Sequence, residues 1–133
     1  MTLSDIVKRK RIFRNRAVNR WMLKHGVADL ALRQAVEEMA RGLVDADLGG
    51  GILKKRIPVP GRGKRGGARF LLASNLNDRW FFLMAYAKSA RSNFSHDELL
   101  ALRAFARDLL NAQESLLAAL LQTGEMMEVS DEA

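Results

Sequence analysis

The chain has no cysteine, two histidines and two prolines among its 133 residues. Without thiols it has no disulfide framework, no thiolate zinc site and no cysteine nucleophile. No apolar run approaches the ~20 residues that a membrane-spanning helix needs. Residues 1–11 carry charge at their centre, where a secretory leader is apolar. The expectation is a soluble cytoplasmic protein that does not engage membranes. Carboxylates are also missing from one long stretch, since none occurs from Leu48 to Asn77. That gap argues against a two-metal centre or paired acid–base carboxylates there, and no metal or cofactor is expected. What is present is an ordinary globular balance, 48% apolar and 28% charged, at a length that suits one domain.

The net charge of +7 averages over blocks of opposite character. Residues 1–25 carry net +7, 26–47 net −3, 48–77 net +7, 78–107 net +2 and 108–133 net −6. Two basic blocks, one free of any acid, point to an anionic partner, most often nucleic acid. The plain alternative is a solvated surface.

Hydrophobic spacing divides the chain into elements. Ile6 to Phe13 alternates loosely and suits a short edge strand or an ordered arm. Arg14 to Lys24 reads as a helix with Ala17, Val18, Trp21 and Met22 on one face. A second helix runs from Asp29 to Arg41 with Leu30, Leu32, Ala35, Val36 and Met39 in a stripe, closed by Gly42. The short link His25 to Ala28 predicts an antiparallel helical hairpin. Ile52 to Val59 is a strand interrupted by Pro58; proline has no amide to donate, so the strand lies at a sheet edge or ends there. Ala68 to Ser74 and Arg79 to Ala87 form a hairpin around Asn75-Leu76-Asn77-Asp78. Ser95 with Glu98 is a capping box. It opens a helix to Leu110 that turns Leu99, Leu102, Phe105, Ala106 and Leu109 inward. Glu114 to Gln122 continues as a further helical piece, and 125–133 is an acidic, frayed end. Helices segregated to one face of a small, largely antiparallel sheet make an α+β domain.

The chemistry concentrates between residues 54 and 69. Lys54, Lys55 and Arg56 precede a loop with Arg62, Lys64 and Arg65, and Arg69 follows it. The loop's glycines let backbone amides approach an anion. The spacing is not that of a P-loop, because no Ser or Thr follows the lysine. Strand alternation puts Lys54 and Arg56 on one face and Lys55 on the other. Counting around the turn sets Arg69 opposite Met84, with Lys88 just beyond, so Arg69, Lys88 and the loop cations converge at one end of the sheet. His25 and His96 lie outside this cluster and read as surface histidines. What remains is phosphoryl chemistry with cations, such as the attack of an RNA 2′-hydroxyl on its own phosphate. Arginine stabilises the phosphorane, and a lysine crowded by cations has a lowered pKa suited to proton transfer. Tyr86 is a weaker candidate, because its apolar neighbours read first as core.

These residues resemble the RelE/HigB group of type II toxin–antitoxin toxins. The likeness rests on Lys55-Arg56, on Gly61-Arg62-Gly63-Lys64-Arg65-Gly66-Gly67-Ala68-Arg69, and on Arg79 to Leu83 leading to Ala87-Lys88-Ser89 and the helix from Ser95. It implies a RelE-like fold in residues 1–112, with an N-terminal helical hairpin on a twisted antiparallel sheet and a C-terminal helix. Residues 113–133 would be a helical extension and acidic tail. It also implies a metal-independent endoribonuclease that cuts mRNA in the ribosomal A site, inhibits translation and is neutralised by a cognate antitoxin. The positions matching the family's basic active site are Arg56, Lys64, Arg65, Arg69 and Lys88, with Lys54, Lys55, Arg62 and Arg91 as further RNA contacts. Lys64 or Lys88 would move protons, and Arg56, Arg65 and Arg69 would clamp the phosphate. The family's catalytic tyrosine, in some members, sits nearer the chain end, and no tyrosine follows Tyr86 here.

Two other classes compete. A non-catalytic nucleic-acid-binding protein would use the two N-terminal helices as a helix-turn-helix. The second of them sets Glu37 and Glu38 beside Arg33 and Arg41, a poor recognition surface. A ParE-like gyrase inhibitor follows from fold-level analogy alone.

Overall fold

The computed structural model describes residues 9–61, 67–90 and 93–130. The elements in chain order are β1 (Arg11–Asn15), α1 (Arg16–His25), α2 (Asp29–Ala40), β2 (Ala46–Asp47), β3 (Ile52–Ile57), β4 (Ala68–Ser74), β5 (Arg79–Ala87), α3 (His96–Leu110), α4 (Glu114–Thr123) and β6 (Met126–Glu128). The strands form one sheet in the order β2-β3-β4-β5-β1-β6. Among the described residues no helix is long and apolar enough to cross a membrane.

The expected α+β class holds, but the sheet is mixed rather than antiparallel. β1 runs parallel to β5, from Arg11 beside Arg79 to Arg14 beside Phe82. The reason lies in the consecutive apolar pair Ile12 and Phe13. Ile12 enters the core on the α1 and α2 side, and Phe13 stacks on Phe81 on the other, with ring centroids 4.8 Å apart. A strand buried on both faces belongs inside a sheet, not at its edge.

The acidic end corrects a second expectation. Met126 to Glu128 is a strand rather than a frayed tail, paired antiparallel with β1. The Val129 amide donates to the Ile12 carbonyl at 2.8 Å, and Met126 and Val129 are buried. Its acidity is answered by Arg11, whose guanidinium donates to both Glu128 oxygens at 2.9 and 3.1 Å. That bonding, with help from Glu114, holds the Arg11 guanidinium above its ordinary pKa.

Helices cover both faces of the sheet rather than the one face expected, because apolar side chains of the central strands point both ways. Asn15 caps α1 by accepting from the Val18 amide, and left-handed Gly26 ends it. From α1 and α2, Val18, Met22, Leu32, Ala35, Val36 and Met39 pack against Leu53, Phe70, Leu72, Trp80 and Phe82. On the opposite face Ala106, Leu109 and Leu117 pack on Phe13, Ile52, Ala73 and Phe81. The Ser95–Glu98 capping box forms as expected. Three side chains expected on apolar faces are exposed: Ala17, Leu30 at 48% and Phe105 at 47%. Each helix turns a narrower stripe to the sheet than its apolar content suggests, 32/35/36/39 in α2 and 102/106/109 in α3.

Arg79 ties the second layer to the sheet. Its Nη1 donates to the carbonyls of Leu109, Leu110 and Ala112 at 3.1, 3.3 and 2.7 Å, and its side chain is 14% exposed. These carbonyls lie in the last turn of α3 and just past it, at the negative pole of its dipole, where a guanidinium is favoured. Arg79→Leu is expected to destabilise the fold by about 2–3 kcal/mol, the range for lost hydrogen bonds to a charged group. Urea unfolding measures it; an unchanged midpoint would contradict this role.

Candidate nucleic-acid interface

The three central strands set the candidate site by their register. Arg56 of β3 pairs with Arg69 of β4, and Arg69 pairs with Tyr86 of β5. Directly opposed residues on neighbouring strands share a face. Arg56, Arg69 and Tyr86 therefore form one row across three strands, with Lys54, Leu71 and Met84 in the row beside it. On this face α3 and α4 pack over Ile52, Ala73 and Phe81, toward the other end of the strands. Arg56 is exposed, Arg69 half-buried, and Tyr86 is 8% exposed with its ring edge-on to Phe94 at 5.8 Å.

Tyr86 rather than Met84 stands opposite Arg69, for two local reasons. Ser74 pairs with Trp80, so five residues rather than four make the turn. Asn75 organises it, accepting from the amides of Asn77 and Arg79 and donating to Asp78 at 2.7 Å. A bulge then shifts the register between Leu71 and Leu72, leaving Leu83 as an extra residue in β5. Each displaces the pairing by one position, and together they bring the tyrosine into the arginine row.

Two small features place Arg56. The Asp45 carboxylate accepts its backbone amide at 2.6 Å, while the Asp45 amide donates to the Lys54 carbonyl at 3.1 Å. Asp45 thus satisfies the outer edge of β3 where the two-residue β2 ends. Gly67 lies against the Arg56 side chain: a Cβ there would stand 3.2 Å from Arg56 Cγ and 3.0 Å from the Ile57 carbonyl oxygen. The glycine's smallness serves this close approach.

Of the other expected site residues, Lys88 is exposed just past the end of β5, at the row's end of the sheet. Lys54 is half-buried on the row's face. Lys55 points the other way, donating to the Leu43 carbonyl and pairing with Glu38, both at 2.9 Å. Arg62, Lys64, Arg65 and Arg91 lie outside the described residues. His25 stacks on Trp21 at 3.9 Å, and His96 is exposed in the first turn of α3. Asp45 was not anticipated, because it precedes the carboxylate-free stretch in sequence. Among the described residues no group of three or more His, Asp or Glu is placed to hold a metal ion.

Chemically the row offers two guanidiniums, each able to meet phosphate oxygens in a two-pronged fashion, and a phenol that can donate or accept a proton. No ion pair joins Arg69 or Lys88 to a described residue, so both charges stay available to an anion. The split between the faces has a measurable consequence. Lys55→Met is expected to cost about 1–2 kcal/mol of stability, from the buried carbonyl and the Glu38 pair it abandons. Arg69→Ala is expected to leave the thermal midpoint within 2 °C (roughly half a kcal/mol). Equal losses in thermal unfolding would refute the assignment of faces.

Comparison with curated proteins finds no match. The family model described as RelE toxin of RelE / RelB toxin-antitoxin system matches residues 10–129, from just before β1 through the end of β6. That span takes in every strand and helix described above, and the chain belongs to the RelE toxin family.

Proposed function

We propose that this toxin is a ribosome-dependent mRNA endoribonuclease that works without a metal ion and thereby inhibits translation in the cytoplasm. The observation that carries the reading is the row Arg56–Arg69–Tyr86, set by register on a face that α3 and α4 leave partly open. In the reaction the RNA 2′-oxygen loses its proton and attacks the adjacent phosphorus. The bond from phosphorus to the 5′-oxygen then breaks, and that oxygen takes up a proton. The products are a 2′,3′-cyclic phosphate and a free 5′-hydroxyl.

Charge builds on the non-bridging oxygens as phosphorus becomes five-coordinate. Arg56 and Arg69 meet that charge with donors already in place, which is where an electrostatic site does most for the rate. Tyr86, opposite Arg69, is within the same row to hold or pass a proton. Lys88 and the loop lysine Lys64 are the other proton-transfer groups, and Arg65 joins the phosphate clamp. Lys54, Arg62 and Arg91 extend the contact to flanking phosphates, each strengthening binding by counterion release. The mRNA presented by the ribosome is the substrate, and the antitoxin of the toxin–antitoxin pair is the neutralising partner. Residues 1–112 carry the activity in this reading, with α1 and α2 as a helical hairpin behind the sheet and 113–133 as an extension whose β6 joins the sheet beside β1.

Losing one preorganised donor at such a site typically costs 10²–10³ in rate. The double variant Arg56→Ala with Arg69→Ala is expected to cut mRNA on programmed ribosomes at least ~10³ times more slowly than the wild type, and to lose growth inhibition in cells. A folded double variant that still cleaves within tenfold of wild type would dismiss the row as the catalytic centre.

A further inference from the structure

At the end of the sheet away from the arginine row, a groove of about 640 Å³ opens between α3 and two turns. One wall is a single face of α3, where Leu100, Arg103, Ala104 and Arg107 follow at helical spacing and Leu110 continues the line. The other wall is the Gly50–Gly51 turn before β3 and Asn75 after β4. Among the described residues no acidic side chain lines it.

The groove is built rather than incidental. Arg103 donates through both Nε and Nη2 to the Leu48 carbonyl, which fixes its guanidinium. A Cβ on Gly50 would stand 2.7 Å from Arg103 Cγ, and one on Gly51 would stand 2.9 Å from Leu110 Cδ1. Both glycines have positive φ, 61° and 86°, so the turn closes onto α3 in a way other residues resist. Leu100 is nevertheless 50% exposed, and no ion pair joins Arg107 to a described residue.

We propose that this groove is the docking site for an acidic, leucine-bearing segment of the antitoxin. Apolar side chains of that segment would cover Leu100, Ala104 and Leu110, and a carboxylate would meet Arg107. The charge argument selects the occupant. Two arginines with no acid among the lining residues call for an anionic ligand, and the apolar wall between them disfavours bare RNA. The chain's own acids Glu114 and Glu128 are already engaged by Arg11 and Arg79. The six residue steps from Arg69 to Asn75 span about 20 Å at ~3.3 Å each. The groove thus anchors a partner without itself filling the arginine row. The proposal stands on the family's antitoxin and not on the nuclease reading.

The test is the affinity of the full chain for the antitoxin encoded with it, measured by titration calorimetry. Leu100→Glu and Arg107→Glu are each expected to weaken binding at least tenfold. Leu116→Glu, at a 49% exposed leucine of α4 outside the groove, is expected to stay within twofold. Circular dichroism melts confirm that the variants fold. Groove variants within twofold of wild type would overturn the proposal, as would an equal loss in the Leu116 control. Weakened mRNA cleavage with unchanged antitoxin binding would assign the groove to RNA instead. A dimer of the free chain that Leu100→Glu dissociates would assign it to a second copy.

Discussion

The register of β4 between β3 and β5 is the constraint on which the rest of the molecule depends. β4 is buried along nearly its whole length, and its alternation decides two things together. Ala68, Phe70 and Leu72 go to the core under α1 and α2, and Arg69 goes to the opposite face in line with Arg56 and Tyr86. A slip of one residue would exchange the two sets, burying a guanidinium among aromatic rings and exposing phenylalanine. The cost of burying an unpaired charge makes that alternative untenable. Packing thus enforces the arrangement of the cations.

Unequal coverage of the two faces then decides where chemistry is possible. The α1 and α2 side is closed over by helices, and even its one lysine, Lys55, is engaged by Glu38 and a carbonyl. On the other side α3 and α4 pack on the half of the sheet around Phe13, Ala73 and Phe81. Arg79 secures that layer by satisfying the carbonyls at the end of α3. The remaining half carries Arg56, exposed, and Arg69, half-buried, with Tyr86 buried beside them under Phe94. One sheet therefore serves as both core and working surface, divided along its strands.

Much of this was legible in the residues, and what was not has local causes. The central hairpin, the capping box and both N-terminal helices follow from spacing and caps, because those signals are short-range. The parallel pairing of β1 with β5 joins segments some 68 positions apart, as in Arg11 with Arg79. No local pattern reports such a contact; only the adjacent burial-ready pair Ile12 and Phe13 hints at a two-sided strand. β6 was hidden because its acids read as solvated until Arg11 is placed beside Glu128. The family likeness pointed to Arg56 and Arg69 as site residues, and strand alternation assigned a face to Arg56. The core reading of Tyr86 agrees with its burial, but its place opposite Arg69 was not legible, since a turn longer by one residue and a bulge of one residue leave no signature in composition. Asp45 is brought to the Arg56 amide by the fold alone.

The central claim is that the chemistry comes from the RNA's own 2′-hydroxyl, with the arginine row stabilising the charge that follows. The direct measurement compares two ribosome-bound mRNAs, identical except for a 2′-deoxy sugar at the cleaved position. The account predicts that the all-ribose message is cut to a 2′,3′-cyclic phosphate and that the 2′-deoxy message stays intact. Cleavage of the 2′-deoxy message at a comparable rate would contradict it.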